Sequence, residues 1–436
     1  MQFSSTRNSN NVINFSKAIT ECVSPDGGLY VPASQDNLKP WIYYLTETTT
    51  FASMAGALTS AMIKEEFSPI ISEAIATKAF PFSPKLRQLD DSLYELDLYT
   101  GPTGSHLDFG VSYLASCLEY TLMMQDKTAI VLAVCNNSVG KSMAQAMRGK
   151  ERLKAVLFHA KDTMAGIDEK DCIWNGGNIY PVEVEGTLQD CSKLVQQLFN
   201  DKNLVNEYGL TLANTMNIGR LLPQTFFYTY AFSRLKGKVF GDIFYALAPG
   251  NYGNLVAGLY AWRFSLPVNG FITECTPALT TDSTGRCHML DSMIPMAKRP
   301  PANPGSPSNL ERMEEVFFAN PAVIKGLVFP KPVSEKERVA SCKELFMKYG
   351  VYADGKTAGA YAAAKKQTEA ADREASTVVL VAREHPAFHS ESIRRWCGEA
   401  PEVPENLKAL FSSVKPRVCI EPNIEQAKTV LAALKN

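Results

Sequence analysis

The stretch Ile243-Phe244-Tyr245-Ala246-Leu247-Ala248-Pro249-Gly250-Asn251-Tyr252-Gly253-Asn254 holds the repeating unit of the fold. Its first five residues form an apolar run of the kind that fills a strand buried on both faces. Leu255 to Phe264 then reads as a helix, so a glycine loop joins strand to helix. Glycines in such a loop let the backbone approach a ligand closely, and the helix N-terminus directs free N–H groups and a positive dipole at it. The expected occupant is an anion, a phosphate above all. Taken alone, the same pattern would also suit an ordinary strand-to-helix turn.

The alternation recurs on both sides of this unit. Ala129 to Val134 is a continuous apolar run, followed by a polar loop from Cys135 to Lys141 and then Met143, Ala146 and Met147 at helical spacing. Ala155 to Phe158 and Val182 to Val184 read as the next strands; Ile272 with Thr273, and Val378 to Val381, read as later ones. Strands alternating with helices predict an α/β fold, a mostly parallel sheet covered on both faces. Arg299 to Pro307, rich in Pro, Asn, Gly and Ser, reads as a loop. Before about Asp91 the apolar spacing is helical, with a tight turn at Ser24 to Tyr30 leading into a short strand. The expected division is an N-terminal helical domain over 1–91, a small α/β domain over 92–212, and a large α/β domain over 213–436 that carries the glycine loop.

The bulk numbers narrow the function. With 436 residues, 45% hydrophobic and 20% charged, the chain suits a globular protein of two or three domains. A net charge of -1 gives no footprint for nucleic acid or an anionic membrane. No apolar stretch is long enough to span a bilayer, and Met1 to Arg7 lacks the apolar core of a signal peptide. The ten cysteines are scattered with no C-x-x-C pair, which argues against structural zinc and for reduced thiols in a cytoplasmic location. His385 and His389 form a His-x-x-x-His without the carboxylate of a HExxH frame, so no metal is expected there.

Two further loops could carry chemistry. Gly140-Lys141-Ser142 resembles the end of a nucleotide P-loop, but that motif needs a glycine five residues earlier, where Cys135 stands. Ser138, Lys141 and Ser142 could instead donate hydrogen bonds to an anion. Gly101-Pro102-Thr103-Gly104-Ser105-His106-Leu107-Asp108-Phe109-Gly110 is a turn-rich entry to a helix starting near Val111, with Asp108 suited to capping it.

Several segments together resemble the threonine synthase family, among the pyridoxal-phosphate (PLP) enzymes of fold type II, the tryptophan-synthase-β-like fold. These are Ser5-Thr6-Arg7, Pro25 to Pro32, Val184-Glu185-Gly186-Thr187-Leu188-Gln189-Asp190-Cys191, Asn214 to Gln224, the glycine loop, Ser308-Asn309-Leu310-Glu311-Arg312 and His385-Pro386-Ala387. The resemblance implies parallel sheets flanked by helices and conversion of O-phosphohomoserine to threonine. It also implies that the amides of Gly250, Asn251, Tyr252, Gly253 and Asn254 hold the cofactor phosphate. Asn136, Asn137, Ser138, Lys141, Asn217, Arg220, Lys356 and Arg383 would then be ring or substrate contacts.

The departures fall on the chemistry. By the family pattern Leu107 stands at the lysine that binds the cofactor as a Schiff base, with His106 on the preceding phenylalanine. Leucine has neither nucleophile nor titratable proton. The family's glycine-rich loop before Lys141 has lost its glycines, and its aspartate is Asn137. Arg383 replaces a hydroxyl residue near the pyridine nitrogen, where like charge would disfavour a protonated ring. The expectation is a degenerate homologue that binds PLP without a covalent bond, if at all, or another small phosphorylated ligand. Two alternatives stand beside it: an active threonine synthase or related lyase using Lys141 or Lys356, with His106 as a proton shuttle, and a structural or regulatory interaction protein. The oligomeric state is open.

Overall fold

The computed structural model describes residues 1–434 other than 35, 137, 240, 291–293, 320 and 372–375. Two parallel sheets organise them. One has five strands in the order Cys419–Ile420, Ile179–Val184, Leu153–Ala160, Ala129–Cys135, Leu210–Leu212, all parallel. The other has six, in the order Val328–Lys331, Gly270–Glu274, Asp242–Ala246, Ser376–Ala382, Leu93–Asp97, Lys85–Gln88. Only the edge strand Lys85–Gln88 runs antiparallel to its neighbour.

The apolar runs follow from this layering. In Ala129–Cys135, Ala129, Val131 and Ala133 pack into one core while Ile130 and Leu132 pack into another. In Asp242–Ala246, Ile243 and Tyr245 join that same first core, and Phe244 and Ala246 join a third. The first core therefore lies between the two sheets, and the other two cover their outer faces. With side chains alternating at period two and both faces covered, every position must be apolar. Helices Phe51–Met62, Pro69–Ala79 and Leu107–Met124 fill the central core, and the N-terminal third of the chain belongs to it rather than forming a separate globule.

Two strands cross the boundaries expected from sequence. Leu93–Asp97 lies in the six-stranded sheet beside Ser376–Ala382, and Cys419–Ile420 lies in the five-stranded sheet beside Ile179–Val184. Composition carries no record of which sheet a strand joins. The helix expected near Val111 begins at Leu107, a full turn earlier. Phe109 in that turn is fully buried, with its ring centroid 4.9 Å from Phe82, 5.0 Å from Phe227 and 5.3 Å from Phe51. These edge-on aromatic contacts hold the helix start in place. All ten cysteines are free thiols, and no described helix is long and apolar enough to cross a membrane.

His159, in Leu153–Ala160, is 3% exposed, and its Nε2 has no hydrogen-bond partner among the described residues. Burial pushes this imidazole down to about 4 from an ordinary 6.5. Between those values the unfolded chain binds a proton that the folded chain refuses. Stability is therefore complete above pH 6.5 and falls as the pH drops towards 4, by about 3 kcal/mol for this one group. Urea unfolding at pH 7 and pH 4.5 should show a smaller acid loss in His159→Gln than in the parent. An equal loss in both would refute the assignment.

Candidate functional site

A cleft of about 1060 Å³ opens between the sheets and receives the C-terminal ends of strands from both. Open α/β sheets bind ligands at this edge, where loops leave the strand ends and helix N-termini point inward. The five-stranded sheet contributes Asn136 and Ser138 after Ala129–Cys135, and Asn214 and Thr215 after Leu210–Leu212. The six-stranded sheet contributes Gly250, Asn251, Gly253 and Asn254 after Asp242–Ala246, and Arg383 and Glu384 after Ser376–Ala382. His106, Leu107, Arg220, Gln224 and Lys356 complete the wall.

The glycine loop is held from below. Gly250 has φ +51 and Tyr252 φ +66, so the chain turns sharply through the left-handed region before helix Gly253–Arg263 begins. The Gly253 N–H donates to Asn251 Oδ1 at 3.2 Å. Asn251 Nδ2 and Asn309 Nδ2 donate to Thr215 Oγ1 at 2.9 and 3.0 Å, and the Asn309 N–H donates to the Asn251 carbonyl. Asn254 Nδ2 donates to Gln224 Oε1 at 2.8 Å, which leaves Oδ1 to accept from Arg383 Nη1 at 3.0 Å.

Other expected contacts lie elsewhere. Lys141 turns out of the cleft: its Nζ sits 5.0 Å from the Phe388 ring centroid and 5.4 Å from that of Phe411, two rings stacked 4.8 Å apart. Burial beside these rings lowers its pKa. Asn217 caps the short helix Ile218–Leu221 and donates Nδ2 to the carbonyls of Ile19 and Leu212 at 2.8 and 2.9 Å. Tyr252 sends its hydroxyl to Thr276 Oγ1 at 2.7 Å. Asp108 accepts from the Thr103 N–H at 2.8 Å and its hydroxyl at 2.5 Å, and burial pushes it up to about 6. It braces the preceding turn and does not cap helix N–H groups. Asn137 lies outside the described residues. Gly140, which gave the P-loop likeness, has a packing reason: a Cβ there would stand 2.8 Å from His159 Cε1.

Glu384 is a cleft residue that the motifs did not single out. Its Oε1 accepts from Ser138 Oγ at 2.8 Å across the two sheets, its Oε2 lies 3.0 Å from His389 Nε2, and Lys356 Nζ is 3.9 Å away. Burial opposes its ionisation, yet His389, Lys356 and Ser138 together hold the carboxyl well below the usual range. The hydrogen bond to Glu384 raises His389 in turn, and Asp354 Oδ2 at 3.6 Å supports it. These three side chains could surround a cation, and as they stand His389 Nε2 lies between the two carboxylates. His385 instead caps the Ala387 N–H through Nδ1.

The cleft is electropositive. Arg220, Arg383, Lys356 and Lys193 line it against a single described carboxylate, Glu384. Arg220 is 4% exposed, gives Nη1 to the Ala213 carbonyl at 2.6 Å, and leaves Nε without a partner. Its pKa falls to about 10 through burial, so it keeps its charge at neutral pH. The His106 N–H donates to the Arg383 carbonyl at 2.7 Å, and burial, then Arg383, push its imidazole down to about 3. His106 is thus neutral at physiological pH. Its Nδ1 has no partner among the described residues.

Two parallel α/β layers around such a cleft, with a glycine loop at a strand end, define the tryptophan-synthase-β-like class, PLP fold type II. A family profile described as the threonine synthase N terminus matches residues 2–80. The threonine synthase of Escherichia coli is 27% identical over 419 residues, covering 93% of this chain and 94% of that protein. That of Buchnera aphidicola from Acyrthosiphon pisum is 26% identical over 437 residues, covering 99% of both. Among solved structures, E. coli threonine synthase superposes with a TM-score of 0.80 at 24% identity over all of both chains. The PLP-bound threonine synthase of Brucella melitensis gives 0.81 at 21% identity over 99% of both. Over nearly its whole length the chain is similar in sequence and fold to the threonine synthases.

Proposed function

We propose that this chain is a degenerate threonine synthase homologue that keeps a cleft for a small phosphorylated ligand and has lost covalent pyridoxal chemistry. The observation that carries the reading is Leu107 in the cleft wall, in the same cavity as the glycine loop. The residues present do not fit a covalently held cofactor. Leucine offers no amine, and Lys141 packs beside the stacked rings of Phe388 and Phe411, outside the cavity. The electropositive lining and the loop at the helix N-terminus support a phosphorylated ligand. Ten free thiols fit a reducing, cytoplasmic setting.

Incubation with PLP, borohydride reduction and mass spectrometry test the reading. No pyridoxyl adduct is expected on any lysine, and stoichiometric labelling would overturn it. One observation favours a second reading, an enzyme with a displaced lysine: Lys356 does line the cleft, although it is largely exposed and near Glu384. Threonine formation from O-phosphohomoserine, abolished in Lys356→Ala, would establish that reading.

A further inference from the structure

The cleft contains a second departure that loss of the lysine does not require. Arg383 leaves the end of Ser376–Ala382 and reaches the loop that follows the neighbouring strand, Asp242–Ala246. Its Nη1 lies 3.1 Å from where a Cβ on Gly250 would stand, so the guanidinium fills the space over the loop that glycine leaves open. Asn254 fixes it there, since Gln224 holds the amide end and leaves the carbonyl end for Arg383. Among the described residues, no carboxylate lies within ion-pair distance of Arg383 or of the buried Arg220. Glu384, the one carboxylate in the wall, is already engaged by Ser138, Lys356 and His389. Two guanidinium groups without a carboxylate in ion-pair reach, one of them buried with an unpartnered Nε and helped only by the more distant charge of Asp108, are costly unless an anion completes them. The planar guanidinium fork matches phosphate oxygens.

We infer that Arg383 has taken over the glycine-loop pocket from the cofactor, so that the cleft binds a small phosphomonoester directly on its guanidinium and shuts out pyridoxal phosphate. This rests on the function proposed above and sharpens it from a vacated cofactor site to a rebuilt anion site. A phosphate seated at the loop gains a second anchor in Arg383. A pyridoxal ring attached to that phosphate would have to displace the same guanidinium.

Calorimetry with inorganic phosphate and with PLP, on the parent and on Arg383→Lys, Arg383→Gln and Arg383→Thr, tests this. The parent should bind phosphate, and excess PLP should fail to displace it. Arg383→Gln should weaken phosphate about tenfold or more, the loss expected for a charge-assisted hydrogen bond, while Arg383→Lys retains most of the affinity. Arg383→Thr should lose phosphate affinity and gain PLP affinity. Equal phosphate affinity in the parent and Arg383→Gln overturns the inference. So does displacement of phosphate by PLP in the parent, a measurement that needs no variant to fold. Neither result touches the proposed function, which fails on borohydride-trapped labelling of the parent or on threonine formation from O-phosphohomoserine.

Discussion

Leu107→Lys is expected to leave the protein almost free of covalent pyridoxal phosphate, whereas Leu107→Lys combined with Arg383→Thr should give close to stoichiometric attachment. Leu107 is the first residue of helix Leu107–Met124 and lines the cleft, so an amine placed there can reach the cavity. The positive end of the helix dipole and the nearby cations Arg220 and Arg383 would lower its pKa towards the free amine needed for condensation. The single variant keeps the guanidinium of Arg383 over the loop and should exclude the ring. The double variant removes both obstacles. Borohydride reduction and intact-mass analysis read the outcome directly. Equal labelling of the single and double variants would show that Leu107 alone accounts for the loss and that Arg383 is no barrier.

What could be read from sequence follows the range of each signal. The strand Ala129–Cys135 was legible over its first six residues because burial on both faces demands apolar residues in a row, a property of the segment itself. The glycine loop was legible for a similar reason, since the backbone turn and its glycines are contiguous. Lys141 was not: beside Gly140 and Ser142 it resembled an anion ligand, but its partners Phe388 and Phe411 are remote in the chain, and no spacing announces them. The contact between Arg383 and Gly250 depends on Ser376–Ala382 lying beside Asp242–Ala246, and strand order leaves no trace in composition. Glu384 was missed although it adjoins Arg383. The available signal was a pair of opposite charges at the end of an apolar strand, which an isolated buried strand would not tolerate.

The departures from the family pattern also make sense as a set. Leu107 offers no amine, Arg383 fills the pocket, and the neighbouring Glu384 is bonded to His389 and to Ser138 on the opposite sheet. A site decaying without function has no reason to hold a guanidinium on a buried amide beside the loop. Placing charged groups in a half-buried cavity costs stability unless each is paired, and among the described residues no carboxylate stands in ion-pair reach of Arg220 or Arg383.

The largest expected effect on stability comes from Arg312, which is completely buried in helix Leu310–Ala319. Its Nε donates to the Tyr30 carbonyl at 2.9 Å, and Nη1 to the Thr215 carbonyl at 2.5 Å and Asn309 Oδ1 at 2.7 Å. Nη2 donates to the Met216 carbonyl at 2.7 Å. Burial lowers its pKa to about 10, so it remains charged at neutral pH. One side chain thereby ties strand Tyr30–Pro32 and the loop at Thr215 to Asn309, the residue just before its own helix. Arg312→Met keeps much of the volume and removes every donor, leaving three carbonyls and an amide oxygen buried without partners. At about 1–3 kcal/mol for each unsatisfied group, partly relieved by relaxation, the variant should lose about 4 kcal/mol. Urea unfolding at neutral pH measures that loss, and a change below about 1 kcal/mol would refute the account. Because Thr215 Oγ1 also receives Asn251 and Asn309, the folded variant should bind inorganic phosphate more weakly as well. Arg312 never touches the cleft, so weaker phosphate binding would mean that the pocket's geometry is set by a buried arginine on its far side.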